Sequence, residues 1–227
     1  MNWTPSIAVA ADIPALEALI PLSVRALQSP WYSPAQMEAA LGPVFGVDRQ
    51  LIADGTYYVI RHESQIIGAG GWSRRKSLFG GDQGRTAPDP ELDPALDPAR
   101  IRAFFVHPDW ARQGIGRCLL TACESAIRQA GFRTIDLVAT LAGEPLYASA
   151  GYQVTRRFDI PLRDGLLLPG VQMSKILDED DGVSEAMRRN AELDRNPKAG
   201  MILDEFRKSV GRSLSKAIFL RNCLMLG

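Results

Sequence analysis

Cysteine and histidine are scarce in this 227-residue sequence, which has three cysteines and two histidines. The cysteines, at positions 118, 123 and 223, are odd in number and include no C-x-x-C pair. This pattern predicts reduced thiols and a reducing compartment, so we expect a cytoplasmic protein. The histidines lie far apart and no H-x-x-x-H occurs, so the sequence predicts no metal site.

Excess charge and long apolar runs are also lacking. Lys+Arg and Asp+Glu each number 26, which argues against broad binding to nucleic acid or to an anionic membrane. No run approaches the ~18 apolar residues of a membrane span. The first twenty residues carry Asp12 and Glu17 without a basic start, so we expect neither a signal peptide nor an anchor. No G-x-S-x-G occurs, which argues against a serine hydrolase.

What the sequence does contain is a series of short strands and helices up to about residue 177. Side-chain periodicity predicts strands at 7–9, 57–60, 65–72, 102–106, 134–139, 152–160 and 170–177. It predicts helices at 12–27, 34–41, 115–130 and 144–150, with Asp12 as a cap and a kink or break at Pro21. Strand, helix and strand over 102–139 form a βαβ unit, whose strands are parallel. We therefore expect an α/β (α+β) fold: a mixed, mostly antiparallel sheet with a central parallel pair and flanking helices.

Three segments stand apart from this pattern. The strand at 65–72 (QIIGAGGW) has three glycines, which suggest close approach of a ligand or another backbone. Residues 74–99, rich in Pro, Gly and Asp, form either a solvated loop or a lid that recruits a cationic amine. The charged DEDDG at 178–182 predicts a boundary between a domain at 1–177 and a helical C-terminal extension at 178–227 that docks or dimerises.

Residues 106–120 (VHPDWARQGIGRCLL) join a strand to an amphipathic helix through a turn with Gly114 and Gly116. A helix N-terminus after such a turn is an anion site, because its first amides lack intrahelical partners and the helix dipole is positive there. A Walker A loop would need a lysine, and a dinucleotide fingerprint would need a third glycine where Leu119 stands. The remaining phosphate motif is the pyrophosphate loop of coenzyme A acyltransferases.

On this motif the sequence resembles the GCN5-related N-acetyltransferase (GNAT) superfamily, over about residues 5–177. Val106-His-Pro108 followed by Gly114-Ile-Gly116 is similar to the family's main motif. Leu146-Tyr147-Ala-Ser-Ala-Gly151-Tyr152 is similar to its second motif, about 30 residues further on. The sequence departs from the family at Ala111, where Gln or Arg is usual, and at Thr140, where Asn is common.

The resemblance implies a splayed parallel pair whose gap holds the pantetheine arm of acetyl-CoA, against the backbone of Phe104, Phe105 and Val106. It implies that a backbone amide near Phe105 or Val106 polarises the thioester carbonyl. It makes Tyr147 the general acid that protonates the departing thiolate. The diphosphate would rest on the amides of the turn: Arg112, Gln113, Gly114, Ile115, Gly116 and Arg117.

The resemblance also implies the reaction, which is transfer of an acetyl group from acetyl-CoA to a primary amine by direct attack. The general base stays open between Glu144 and the acids of the 74–99 loop, and His107 reads as a turn residue. A small-molecule acceptor is favoured, because the long loop could close a pocket. A peptide or protein acceptor is an open alternative. A second alternative is a non-catalytic acyl-CoA-binding regulatory module with a partner-binding tail. Association into a homodimer is also left open.

Overall fold

The computed structural model describes residues 3–80 and 89–177, and these residues contain one seven-stranded sheet. Its spatial order is β1-β2-β3-β4-β5-β7-β6. Neighbouring strands are antiparallel, except that β4 and β5 are parallel, which confirms the predicted mixed sheet. The strands are β1 (Ser6–Ile7), β2 (Tyr57–His62), β3 (Gln65–Ser73), β4 (Ala99–Val106), β5 (Thr134–Ala139), β6 (Gln153–Pro161) and β7 (Leu167–Ile176).

The predicted helices are present, together with one that the periodicity did not indicate. The additional helix follows Asp48, whose carboxylate accepts from the amide of Leu51 at 3.2 Å. Its five residues are too few to carry a helical repeat. No helix in the described ranges is long and apolar enough to cross a bilayer. The helices are α1 (Ile13–Leu27), α2 (Pro34–Ala40), α3 (Arg49–Ala53), α4 (Ile115–Gln129) and α5 (Glu144–Ala148).

The start of α1 differs from the prediction in two respects. Pro21 does not break the helix, which runs without interruption from residue 13 to residue 27, so of the two expected outcomes only a kink is left. The Asp12 carboxylate does not cap it either; it accepts from the amide of Val9 at 2.9 Å and pairs with Arg61 at 2.7 Å. Asp12 therefore closes the short turn before α1 and ties it to β2.

The glycines of β3 make room mainly for side chains. A Cβ at Gly68 would collide with Cγ2 of Ile115, and one at Gly70 would lie 2.7 Å from the ring of Phe104. At Gly71 it would lie 2.8 Å from the carbonyl oxygen of Thr56, so close backbone approach applies at that position alone. The stretch lets α4 pack closely on the sheet and leaves room for the ring of Phe104, so its glycines are explained without a ligand.

The parallel pair separates as predicted. Residues 99–101 of β4 pair with residues 135–137 of β5, and β4 then continues to Val106 without this partner. The register between β3 and β4 shifts at a bulge where Ala103 has a φ of +56°. A bulge bends and twists its strand, so it directs the end of β4 away from β5. The result is an open cleft beside Phe104, Phe105 and Val106.

The first turn of α4 borders this cleft, and the rest of the helix buries the apolar face that the sequence indicated. Its buried residues include Cys123, which is completely covered, whereas Cys118 is half-buried. Burial raises the pKa of both thiols, so neither has the character of a nucleophile. The third cysteine, the C-terminal extension and residues 81–88 of the long loop lie outside the described residues, and the boundary near 178 stays a prediction.

Candidate active site

A cavity of about 550 Å³ opens where β4 and β5 separate. It brings together residues from β4, from the turn before α4 and from α5, which are up to 46 positions apart in the sequence (Ile101 to Tyr147). Most of the residues that the sequence singled out for cofactor binding and catalysis line this cavity. They are Phe104, Phe105, Val106, Arg112, Gly114, Ile115, Gly116, Arg117 and Tyr147.

The N-terminus of α4 points free amides at the cavity. The first bond into the helix runs from the amide of Cys118 to the carbonyl of Gly114, at 2.9 Å. Within the described ranges, the amides of residues 115–117 have no acceptor, and Gly114 supplies no side-chain cap. Gly114 has a φ of +84° and Arg112 a φ of +64°. These left-handed conformations turn the chain sharply, and at position 114 the conformation is one that glycine adopts readily. This arrangement is a binding site for an anion.

One residue predicted to bind the cofactor, Gln113, is not part of the cavity wall as the structure describes it. Its carbonyl oxygen accepts a hydrogen bond from the indole nitrogen of Trp3, at 2.8 Å. Trp3 is itself held by an edge-to-face contact with Trp110 and by a bond from the Cys118 thiol to its carbonyl. The N-terminal segment therefore keeps the Gln113 carbonyl engaged outside the cavity wall.

The amide of Val106, one of the two predicted oxyanion donors, is engaged by a residue that the sequence did not single out. It donates to the hydroxyl of Ser23 at 3.2 Å. Phe105, the other predicted donor, lies opposite Ala69 of β3 in the sheet register. Ser23 is buried in the apolar face of α1, in helical register with Leu16 and Leu19. In the sequence, Ser23 is a lone hydroxyl residue on an apolar helix face, and that pattern could have identified it as a functional residue.

Tyr147 lies on α5 with its ring enclosed by two others. The ring centroids of Phe104 and Tyr152 are 6.1 Å and 5.8 Å from its own. Burial raises the pKa of its phenol well above the ordinary value, with a smaller contribution from Cys123. Tyr147 lines the cavity, and among the described residues none forms a hydrogen bond with its hydroxyl. The phenol is thus kept protonated beside the cleft.

Both side chains considered as a base near α5 or β4 are engaged by partners outside the cavity wall. The Glu144 carboxylate forms a two-bond ion pair with Arg157, at 2.6 Å and 3.0 Å, which lowers its pKa. The His107 ring nitrogen Nδ1 accepts from the amide of Asp109, at 3.3 Å, in the turn after β4. His107 is therefore a turn residue, as expected, and Glu144 is a structural partner of β6.

The charged groups on the described cavity wall are all cationic. They are Arg102, Arg112 and Arg117, and no Asp, Glu or His stands with them. Arg117 donates to the carbonyl and the hydroxyl of Ser149, at 3.0 Å and 2.6 Å, which links α4 to α5. The wall therefore suits an anion at the α4 end.

The family comparison agrees with this geometry. Residues 53–154 match the family model described as an acetyltransferase (GNAT) domain. This stretch has the sequence pattern of a GNAT acetyltransferase domain. The match spans β2 to the start of β6 and so includes the cleft, the turn before α4 and Tyr147. A search of curated proteins found no match.

Solved GNAT structures share the fold of this domain. A GCN5-related N-acetyltransferase from Rhodopseudomonas palustris is 19% identical, with a TM-score of 0.59 over 78% of this chain and 97% of its own. An N-acetyltransferase from Staphylococcus aureus Mu50 is 13% identical, with a TM-score of 0.53 over 78% and 100%. PaiA from Thermoplasma acidophilum, solved with coenzyme A, is also 13% identical, with a TM-score of 0.52 over 78% and 99%.

Proposed function

We propose that this chain transfers an acetyl group from acetyl-CoA to a primary amine by direct attack of the amine. The observation that supports this most is the meeting, at one cavity, of unpaired helix amides, separated parallel strands and a protonated tyrosine. The fold is that of GNAT acetyltransferases, and one neighbour of that fold was solved with coenzyme A.

The residues at the α4 end fit the diphosphate of coenzyme A. The amides of residues 115–117 would bind phosphate oxygens at the positive end of the helix dipole. Arg112 and Arg117 line the same end of the cavity and would offset the negative charge. The open edge of β4, from Phe104 to Val106, leaves room for the pantetheine arm. The bound cofactor would supply an acetyl thioester, which the amine converts to an amide.

The end of β4 would stabilise the charge that develops on the thioester oxygen. The Val106 amide is the donor that fits this role, because it donates to a side-chain hydroxyl outside the sheet, that of Ser23. At 3.2 Å the bond to Ser23 is at the long end of the hydrogen-bond range. The amide can therefore be shared with the oxygen, while Ser23 keeps it oriented. Donors positioned in this way act mainly on the transition state.

Tyr147 would hold a proton at its phenol oxygen for the sulfur atom. The amine nitrogen forms the new bond to the carbonyl carbon, the bond from carbon to sulfur breaks, and the sulfur takes the phenol proton. The amine loses one proton to water, and the phenol is reprotonated from water. Products and protons balance without a covalent enzyme intermediate.

The described wall has no carboxylate or histidine that could deprotonate an ammonium group. We infer that the amine enters in its neutral form. Aliphatic amines have a pKa near 10, so kcat/KM should rise with pH about tenfold per unit below that value.

The experiment is an acceptor screen with detection of free thiol. The purified full chain is mixed with acetyl-CoA and a panel of amines, including a peptide with a free N-terminus, while acetyl-CoA binding is measured by calorimetry. Thiol release that depends on an amine is the expected result. Tight binding without thiol release across the panel would favour the non-catalytic acyl-CoA-binding module. Absence of binding would overturn the assignment of the cleft.

A further inference from the structure

The cavity continues beyond β4 into a part that the cofactor residues do not line, which we call the acceptor half. Most of its apolar residues belong to, or pack against, a core cluster that contains neither Ile115 nor Tyr147. They come from the end of α1, from the segments on either side of α2, and from β6 and β7. The acceptor half is defined by Leu27, Tyr32, Val44, Phe45, Ile160 and Leu168.

The polar groups of the acceptor half are few and largely occupied. The Tyr32 hydroxyl donates to the carbonyl of Pro169 at 2.7 Å and accepts from the amide of Leu141 at 2.9 Å. It therefore bridges two chain segments and has little capacity left for a ligand.

Arg102 is the cation on the described wall of the acceptor half, and its charge is neutralised. Arg102 is almost completely buried and pairs with Asp48 at 2.6 Å. The same guanidinium donates to the carbonyls of Ser77 and Gly80, at 3.2 Å and 2.6 Å, and so holds residues 77–80 against the cavity. Its charge is compensated within the protein, and the wall of the acceptor half, as far as the structure describes it, presents no net charge.

Gln28 is the exception among these polar groups. It lines the cavity at the end of α1 and is 8% exposed, and its Oε1 has no hydrogen-bond partner in the described part of the structure. A buried amide oxygen without a partner is costly. A neutral N–H of a ligand would satisfy it, whereas an ammonium group would need a carboxylate to offset its loss of hydration.

We infer that the acceptor is a monoamine with an apolar body, such as an alkyl chain or a single aromatic ring, and that it binds without a second positive charge. This inference rests on the proposed acetyl transfer and specifies its substrate class. A polyamine or other polycation would place an unpaired ammonium against apolar walls, with no carboxylate in the described wall to offset its charge. The described wall thus disfavours the cationic amine that the acidic loop suggested.

The wild-type test compares hexylamine, 2-phenylethylamine and 1,6-diaminohexane, with acetyl-CoA as the donor at pH 9. We expect kcat/KM, corrected for the neutral fraction of the reacting amine, to be at least tenfold higher for the two monoamines than for the diamine. A ratio near one, a preference for the diamine, or reaction with the peptide alone would overturn the inference while leaving acetyl transfer intact. If acetyl-CoA binds and no amine reacts, the proposed function itself fails.

A variant tests whether the missing carboxylate sets this preference. Gln28→Glu adds a carboxylate to the acceptor half. It should lower the ratio of kcat/KM for the monoamines to kcat/KM for 1,6-diaminohexane at least fivefold. Gln65→Glu makes the same change at an exposed position at the start of β3 and should leave the ratio unchanged. Thermal unfolding and acetyl-CoA affinity verify that both variants are folded. An equal ratio in Gln28→Glu and wild type would contradict the placement of the acceptor beside Gln28.

Discussion

At the residue scale, the chemistry depends on the protonation state of Tyr147. Burial raises the pKa of this phenol, so the folded protein favours the protonated form. The group therefore keeps its proton at pH values where a solvent-exposed tyrosine, with a pKa of about 10, would begin to lose it. A raised pKa makes the buried phenol a weaker acid than an exposed one. A thiolate formed in the same desolvated cleft also binds a proton more tightly, so the proton can still pass from the phenol to the sulfur.

Tyr147→Phe should lower kcat by about 10²-fold or more, the usual contribution of a general acid, with acetyl-CoA affinity changed less than threefold. The ring contacts to Phe104 and Tyr152 stay in place, so the fold should be retained. In the wild type, kcat should show no alkaline decline below pH 10. Steady-state kinetics and calorimetry measure both quantities, and unchanged turnover in the variant would remove Tyr147 from the mechanism.

Glu144→Gln is the matched control on the same helix. Because Arg157 holds this carboxylate and lowers its pKa, its loss should change kcat less than twofold. A tenfold fall would instead identify Glu144 as the base.

At the element scale, the position of α4 is set by the packing of Ile115 on Gly68. Without a Cβ at residue 68, the first turn of the helix lies directly on β3. That contact places the free amides at the mouth of the cleft. The bulge at Ala103 is the complementary device, since it turns the end of β4 away from β5.

Gly68→Ala should destabilise the fold by about 1–3 kcal/mol, the range for overpacked cores. Ile115→Ala alone should cost about 2–5 kcal/mol through the space that it leaves. In the double variant the methyl group added at position 68 has room. The loss of unfolding free energy in the double variant should therefore be smaller than the sum of the losses in the two single variants. Urea unfolding of the four proteins measures this coupling, and strict additivity would show that the two residues do not press on each other.

At the scale of the whole molecule, the N-terminal segment orders a loop more than a hundred positions away. Trp3 binds the Gln113 carbonyl and packs on Trp110. Trp3→Phe keeps an aromatic ring but removes the N–H. A released Gln113 carbonyl could turn toward the bound diphosphate and repel it. We expect acetyl-CoA to bind about fivefold more weakly, which is the worth of roughly one net hydrogen bond.

Trp31→Phe provides the control for this variant. Trp31 is 53% exposed and is not among the cavity residues in the described chain. Its replacement should leave the dissociation constant unchanged in calorimetry. Equal affinities for wild type and Trp3→Phe would refute the role given to Trp3.

Much of the fold and of the candidate site could be predicted, because short stretches of the sequence determine them. The alternation of strands and helices, the glycine turn before α4 and the Tyr147 segment each occupy a short stretch. The prediction failed at Asp12, where an ion pair with Arg61 of β2 replaces the expected cap. It missed α3, whose five residues carry no repeat. It assigned the β3 glycines to a ligand or a backbone, whereas two of the three accommodate side chains from β4 and α4.

The sequence by itself determined the family resemblance, the mixed sheet and the positions of the turn amides, since these follow from neighbouring residues and their periodicity. Only the tertiary structure decided what surrounds them. Ser23 reaches Val106 across 83 positions, and Trp3 reaches Gln113 across 110. Asp48 neutralises Arg102, and the cavity wall is left without a carboxylate in the described ranges. Such contacts depend on how whole elements pack together, and no local pattern encodes that packing.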